Sequence, residues 1–581
     1  MGDTEPKHHH GKLSSEHVED NAAQTAIVDS KQGGWITVPI ITASMLGLTL
    51  AASGWISNLI VYLIQEFNVK SIDATQIFNT VSGFTTLLPI AGSITADSLG
   101  CFPVITVSSF ISLLGVILLM LTATVSSLRP PSCANKGSAS CQPASNFQYW
   151  VLNVSMALAS IGIGGTRSTI ATFGGDQFDT AEDQALFFNW YFIAFYVALG
   201  LGNTVVVYVD DNVGWGWGYA ICIAANVFGI AIFLAGSSFY RHAKHKVSPF
   251  TRLAQVVVAA IRKRKLPLSS QSQDYYLGYG GVSTEFELSG YSTPTRSFKF
   301  LNRAALRMEG DTGPDDSIAK PWRLCTVEQV EDLKGVIRIL PLWSTSIFLS
   351  TPIGIQTGLT IIEVLKMDRR VGPHMEIPAG SFMVFTLFST AISIFLVDRF
   401  LYPLWIKLAG RALTPLQRIG VGHFFTIIGM ATSAMVESTR LHVVKSNHLK
   451  TEDNSVVAPM SALWMVLPLS IIGIGESFHF PGQIELYYQE FPASLRNTST
   501  AMVMALIAVG YYLSTAVIGL VRRVTGWLPD NIDDGRVDNV FWMLAGIGVI
   551  NFGYYLTCAK LYQYKNTKKG GTRSDHSDNS V

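Results

Sequence analysis

The sequence predicts an all-α membrane protein, a bundle of twelve transmembrane helices in two six-helix halves. Three observations predict it. Of 581 residues, 49% are hydrophobic and only 14% charged, where soluble domains carry about 25% charged residues. Apolar runs near twenty residues long recur along the chain, each able to cross a hydrocarbon core of about 30 Å as a helix. One long polar segment divides those runs six and six.

The spans are read at 36–64, 74–97, 101–124, 148–174, 186–209 and 217–238, then 335–365, 379–398, 416–437, 459–484, 500–521 and 539–562. They give a tail over 1–35, a first half over 36–240, a link over 241–334, a second half over 335–562 and a tail over 563–581. The polar start carries no short apolar core with a small-residue cleavage site, so the tail is expected to stay attached. Its run His8-His9-His10 reads as a solvated tail rather than a metal site. Lys and Arg near helix ends set orientation. The link holds Arg262-Lys263-Arg264-Lys265, so link and both tails are expected to be cytosolic. Cys133 and Cys141 then fall in a loop on the opposite face, open to a disulfide or to two unpaired thiols, since spacing fixes no geometry. The sequons at Asn153 and Asn497 lie in a span and on the cytosolic side, and neither is expected to be glycosylated.

Six-helix halves related by a twofold along the membrane normal would pair helix n with helix n plus six, the layout of major-facilitator-type bundles. Ile161-Gly162-Ile163-Gly164 on span four recurs as Ile472-Gly473-Ile474-Gly475 on span ten. Span two ends at Asp97 and span eight at Asp398. Within the link, 252–265 reads as a basic amphipathic helix suited to an anionic leaflet, and 271–295, rich in Ser, Tyr and Gly, reads as disordered. Thr326 is a candidate N-cap for a helix opening with Glu328 and Glu331.

A charge at the bilayer centre costs about 3 kcal/mol on insertion scales, so charged side chains in mid-span must face protein or water. Two stand out, Arg167 on span four and Glu476 on span ten. On symmetry-related helices they suggest a pair across a central cavity that makes and breaks as the halves rock; a permanent packing pair is the alternative. Each follows an IGIG turn, which would thin the helix and let a solute approach. His479 lies one turn beyond Glu476. Asn58, Tyr196 and Gln356 could line the same cavity or satisfy a neighbouring backbone. The aromatic run 187–192 reads as an interfacial anchor with core packing.

The chain resembles the plant nitrate and peptide transporter family, relatives of the proton-coupled oligopeptide transporters. The resemblance is carried by Phe173-Gly174-Gly175-Asp176-Gln177-Phe178-Asp179, Phe187-Phe188-Asn189-Trp190-Tyr191, Asp211-Asn212-Val213-Gly214-Trp215-Gly216-Trp217-Gly218, Pro321-Trp322-Arg323-Leu324-Cys325-Thr326-Val327, Met367-Asp368-Arg369-Arg370 and Leu413-Thr414-Pro415-Leu416-Gln417-Arg418-Ile419-Gly420. Its details look most like the branch holding nitrate-excretion transporters and carriers of glycosides and alkaloids. The chain departs from the family pattern in three places. A Glu-x-x-Glu-Arg/Lys motif on span one is matched by Met45, Leu48 and Thr49. A span-four lysine is matched by Arg167, and a nitrate-binding histidine of some members by Ile353. Arginine keeps its charge and offers a planar fork suited to anions, so Arg167 is expected to grip an anionic group or pair with Glu476, and proton coupling is expected to be weak.

The function the resemblance implies is secondary transport of a small solute, with export or low-affinity carriage of nitrate or other anions ahead of a glycoside or alkaloid. A nutrient sensor is the reading from another class. A membrane enzyme would cluster His, Asp or Cys near one face, and outside the N-terminal run the sequence has no such cluster. No cofactor and no nucleic acid are expected. The expected partners are the bilayer, a small-molecule or anion substrate and, where transport is coupled, protons. Neither tail has an acidic dileucine signal, which leaves plasma and vacuolar membranes both open.

Overall fold

The computed structural model describes residues 33–131, 133, 141–241, 249–269, 271–278, 294–295, 297–313, 318–373, 375–447, 457–491 and 499–562. Both tails, most of the serine-rich stretch and the sequon at 497 lie outside the described residues. Twelve helices among those described are long and apolar enough to span a membrane: α1 (Gly34–Ser57), α2 (Ser71–Leu99), α3 (Cys101–Thr124), α4 (Asn146–Gly175), α5 (Glu182–Asn212), α6 (Trp215–Ala235), α7 (Val327–Leu365), α8 (Ala379–Ala409), α9 (Pro415–Ser446), α10 (Ala462–Glu490), α11 (Ala501–Val524) and α12 (Val537–Leu561).

Local chemistry sets their limits. Ser145, Thr326 and Thr414 open α4, α7 and α9 in capping boxes: each hydroxyl accepts from the amide of a Gln three residues on, which bonds back to the cap amide. Thr326 is thus the expected cap, but its helix runs without a break into the membrane span, so α7 begins eight residues before 335. After α1 the chain breaks at Asn58 and turns helical again over Leu59–Glu66. The span expected to stop at Asp398 continues to Ala409 through a π turn over Val397–Leu401, beside Pro403, whose missing amide donor a regular helix would leave uncompensated.

Each half repeats one packing scheme. In the first, α1 packs on α5 and α6, α3 on α4 and α6, and α2 on α4; in the second, α7 packs on α11 and α12, α9 on α10 and α12, and α8 on α10. Every pair is the earlier one shifted by six. The paired IGIG runs therefore mark equivalent helices, but their glycines face neighbouring helices and do not thin a cavity wall. A Cβ at Gly164 would stand 2.3 Å from Leu88 Cβ, and one at Gly473 2.7 Å from the Thr386 carbonyl.

The halves meet where α2 packs on α11 and α7. Arg522 bridges Asp73 and Asp530, Lys70 reaches Asp530 at 2.5 Å, and Arg369 reaches Asp211 at 3.4 Å. These bridges gather at the end of the bundle away from the link. Midway along the bundle, Arg167 and Tyr196 remain exposed, so the space between the halves is closed at the far end and open toward the link. The far-end cysteines Cys133 and Cys141 are joined in a disulfide, which settles the alternative left by their spacing.

The link has its own small core. The helix Pro249–Arg262 buries Val256, Ala259 and Ala260 against Leu301, Ala304 and Val330. Those residues are thus covered by the link and by α7, while Val257 and Ile261 of the same helix stay exposed. Tyr275 and Tyr276, inside the stretch expected to be disordered, are buried there too. Lys263 belongs to this core: its ammonium bonds Asp311 at 3.0 Å and the Leu306 carbonyl at 2.6 Å. Burial pushes the Cys325 thiol up to about 12.

Mid-helix charge is more widespread than two residues. Buried Arg440 on α9 forms two bonds to Glu437, at 2.7 and 2.9 Å, and one to Asp533 at 2.5 Å. Glu363 on α7 and Asp210 on α5 are buried as well. They escaped the sequence reading because Glu363 and Glu437 lie at the ends of the expected spans and Asp210 and Arg440 just beyond them, whereas internal pairing lets the helices carry Glu437 and Arg440.

Candidate functional site

A recess lies in the first half, walled by α1, α4 and α5, with Arg167 in its lining. Glycines 162, 164 and 165 seat α4 tightly on α2 and α3, which fixes the face from which Arg167 projects. Most of the wall is apolar, including Met45, Leu48, Ile163, Ile170 and Leu199, with hydroxyls from Thr49, Ser53 and Thr166. Met45, Leu48 and Thr49, the positions that lack the span-one charges, are therefore wall residues, and their substitution makes this wall greasy.

The Arg167 guanidinium lies 5.4 Å from the centre of the Phe195 ring, a cation–π placement that holds the fork without neutralising it. Tyr191, Tyr196 and Tyr511 surround it closely enough to act on its charge. Across the space between the halves, Glu476 on α10 has Thr390 as a distant hydroxyl donor at 3.5 Å. Tyr196 and Tyr511 each sense both Arg167 and Glu476, so the two charges flank a common aromatic patch. Among the described residues no ion pair within 4.0 Å joins them. Arg167 lines the recess, Glu476 does not, and the two partner-helix charges are held apart.

The other candidates divide. Tyr196 is exposed and lies beside Phe195, outside the lining of the recess. His479 is fully buried against Gly422 and His423 in the seam between α9 and α10, and Gln356 donates to Ser433 at 2.9 Å inside the second half. Asn58 is buried at the far-end seam, donating to Asp210 and Asp211 at 3.4 and 3.5 Å. None of these three lines the recess. Helical spacing put His479 near Glu476, but one turn along the same helix also rotates a side chain toward the neighbouring helix. Tyr191 falls in the aromatic run expected to be an interfacial anchor with core packing, and Phe195 and Tyr511 went unnoticed, because aromatic residues in apolar spans carry no period that separates a cavity wall from a lipid face. Among the described residues no group of three His, Cys, Asp or Glu could hold a metal ion.

Comparison with known proteins gives a consistent result. The model for the POT family matches residues 102–532. The Arabidopsis thaliana protein NRT1/PTR family 2.7 is 50% identical over 552 residues, 94% of this chain and 96% of the relative. Family 2.6 from the same plant is 48% identical, again over 94% of this chain and 96% of its own. Among solved structures, an auto-inhibited POT family peptide transporter superposes with a TM-score of 0.67 at 16% identity, covering 91% of this chain and 97% of that one. The POT family transporter PepTSo also gives 0.67, at 15% identity and 91% and 98% coverage. At such identities the likeness shows the fold alone.

Proposed function

The chain belongs to the POT family and is a multi-pass secondary transporter, not an enzyme; from that premise we propose that it carries small anions, nitrate among them, by alternating access between the link side and the far side. The observation that carries this reading is Arg167, a guanidinium in an open recess with no ion-pair partner within 4.0 Å among the described residues. A permanently charged planar fork in an apolar wall favours an anion that can take two parallel hydrogen bonds. With the link side cytosolic, the arrangement is poised to load from the cytosol, which fits export across a plasma or vacuolar membrane.

A second reading has its own support. The wall of the recess is chiefly apolar, which suits the body of a larger organic anion such as an acidic glycoside; a solute-sensing role would use the same recess. One experiment separates these readings. Purified protein in vesicles is loaded with nitrate, chloride and an organic anion of glycoside type, and efflux of each is measured with the membrane potential clamped. Nitrate efflux above empty vesicles is the expected result. Efflux of the organic anion alone selects the second reading, and binding without efflux selects the sensor. A proton gradient is expected to change accumulation less than twofold, since the wall lacks the span-one carboxylates. Strong proton-driven accumulation that disappears in Glu476→Gln would show that this one carboxylate suffices for coupling.

A further inference from the structure

The far-end seam contains an acid with no ion-pair partner among the described residues. Asp210 near the end of α5 is 3% exposed. Gly218 of α6 lies directly on its carboxylate: a Cβ there would stand 1.7 Å from Oδ1, leaving no room for a cation. The cation beside Asp211, Arg369 of the second half, goes to Asp211 at 3.4 Å and to Glu376 at 2.6 Å. The other titratable groups facing Asp210 are Tyr62 after α1 and Tyr219 and Cys222 on α6. None of them supplies a positive charge.

Two buried oxygens in this place lack a hydrogen-bond donor among the described residues, Asp210 Oδ1 and Asn58 Oδ1. The Asn58 amide nitrogen already donates to Asp210 Oδ2 at 3.4 Å and to Asp211 Oδ1 at 3.5 Å. A single proton on Asp210 would turn the couple into an acid–amide pair, the acid donating to the amide oxygen and the amide donating to the acid. Buried polar groups are rarely left unpaired, and a buried carboxylate without a partner is costly. The second half seals the pair, because Gly380 packs so closely that a Cβ would lie 2.8 Å from Asn58 Oδ1.

We propose that Asp210 is a proton-binding site of the far-end gate: it holds a proton while the second half caps it and releases that proton to far-side water when Arg369 and Gly380 withdraw. The proton enters and leaves on one face, so it sets the poise of the gate without crossing the membrane. Closure then gains a proton for every molecule that closes. Far-side acid favours the closed gate by up to about tenfold per pH unit above the ordinary carboxyl range near 4. The surface bridges made by Asp73, Asp530 and Glu376 act in the opposite sense, since protonating those acids loosens the gate. The sign of the pH response distinguishes the two.

The test uses full-length protein in vesicles with labels at exposed Ser126 and Ser446, one on each half at the far end. Their separation is followed from about pH 7.5 to about pH 5.5. The expected result is a closed fraction that grows as far-side pH falls, a response lost in Asp210→Asn, which stays closed at both pH values. Wild type that opens or does not respond on acidification overturns the proposal whatever the variant does, and so does Asp210→Asn with the wild-type response.

Discussion

Arg167 acts through shape as well as charge. Its guanidinium lies over Phe195 and presents a fork to the recess, whereas lysine would place a compact, strongly hydrated ammonium there. Arg167→Ala is therefore expected to lower efflux at least about tenfold, the loss of a charge-assisted pair of bonds, with normal surface expression. Arg167→Lys should keep part of the activity. Full flux in Arg167→Ala, measured at equal protein per vesicle, would return the residue to a packing role. Arg167 and Glu476 were legible in the sequence because an unneeded charge in a lipid-crossing helix is rare, and no pattern in the letters could have told whether they touch. Asn58, Gln356 and His479 show the limit of such reading. Each is polar in mid-span, and each finds its partner or packing surface inside its own half.

Among elements, the seam of α2 and α4 leaves little slack. A Cβ at Gly92 would stand 2.4 Å from the Gly164 carbonyl, and one at Gly164 2.3 Å from Leu88; backbone cannot yield as a flexible side-chain end can. Gly164→Val is expected to cost about 3 kcal/mol, at the upper end for overpacking, read as a loss of folded protein in detergent with a lowered thermal midpoint. Gly553, with nothing within 4 Å, should accept Ala with little change. The repeated IGIG run pointed to the correct pair of helices. Its purpose was not legible, since close helix packing and solute access both call for glycine.

Across the whole molecule, the twelve spans and the six-plus-six division followed from hydropathy alone, while the link was misread in two places. Its basic run suggested a leaflet-binding helix; the helix forms, but Lys263 is 3% exposed and Val256, Ala259 and Ala260 pack into the link core. Periodicity shows that a helix has an apolar face and not what covers it. Orientation remains testable with exposed positions. Cysteines placed at Arg264 and His442, both exposed, should be labelled from opposite sides, Arg264 only after the cells are permeabilised. Native Cys325, buried with its thiol held up to about 12, should stay silent in the same assay. Labelling of Arg264→Cys in intact cells would invert the arrangement and make the open recess face outward.

The helix that carries Glu363 and ends beside the gate starts inside the link. At 39 residues, α7 would be about 58 Å long if straight, roughly twice the bilayer core, with Pro341 and Pro352 as the points where it can bend. Val330 and Leu333, ahead of the first proline, are part of the link core, and Lys334 is tied to the Thr295 carbonyl at 2.9 Å. The aqueous link core is thus mounted on the second half and should travel with it like a pointer on a dial. A dye attached to that pointer, with a second at the water-exposed base of the first half, would let one watch single transport cycles without altering any surface that meets lipid or solute.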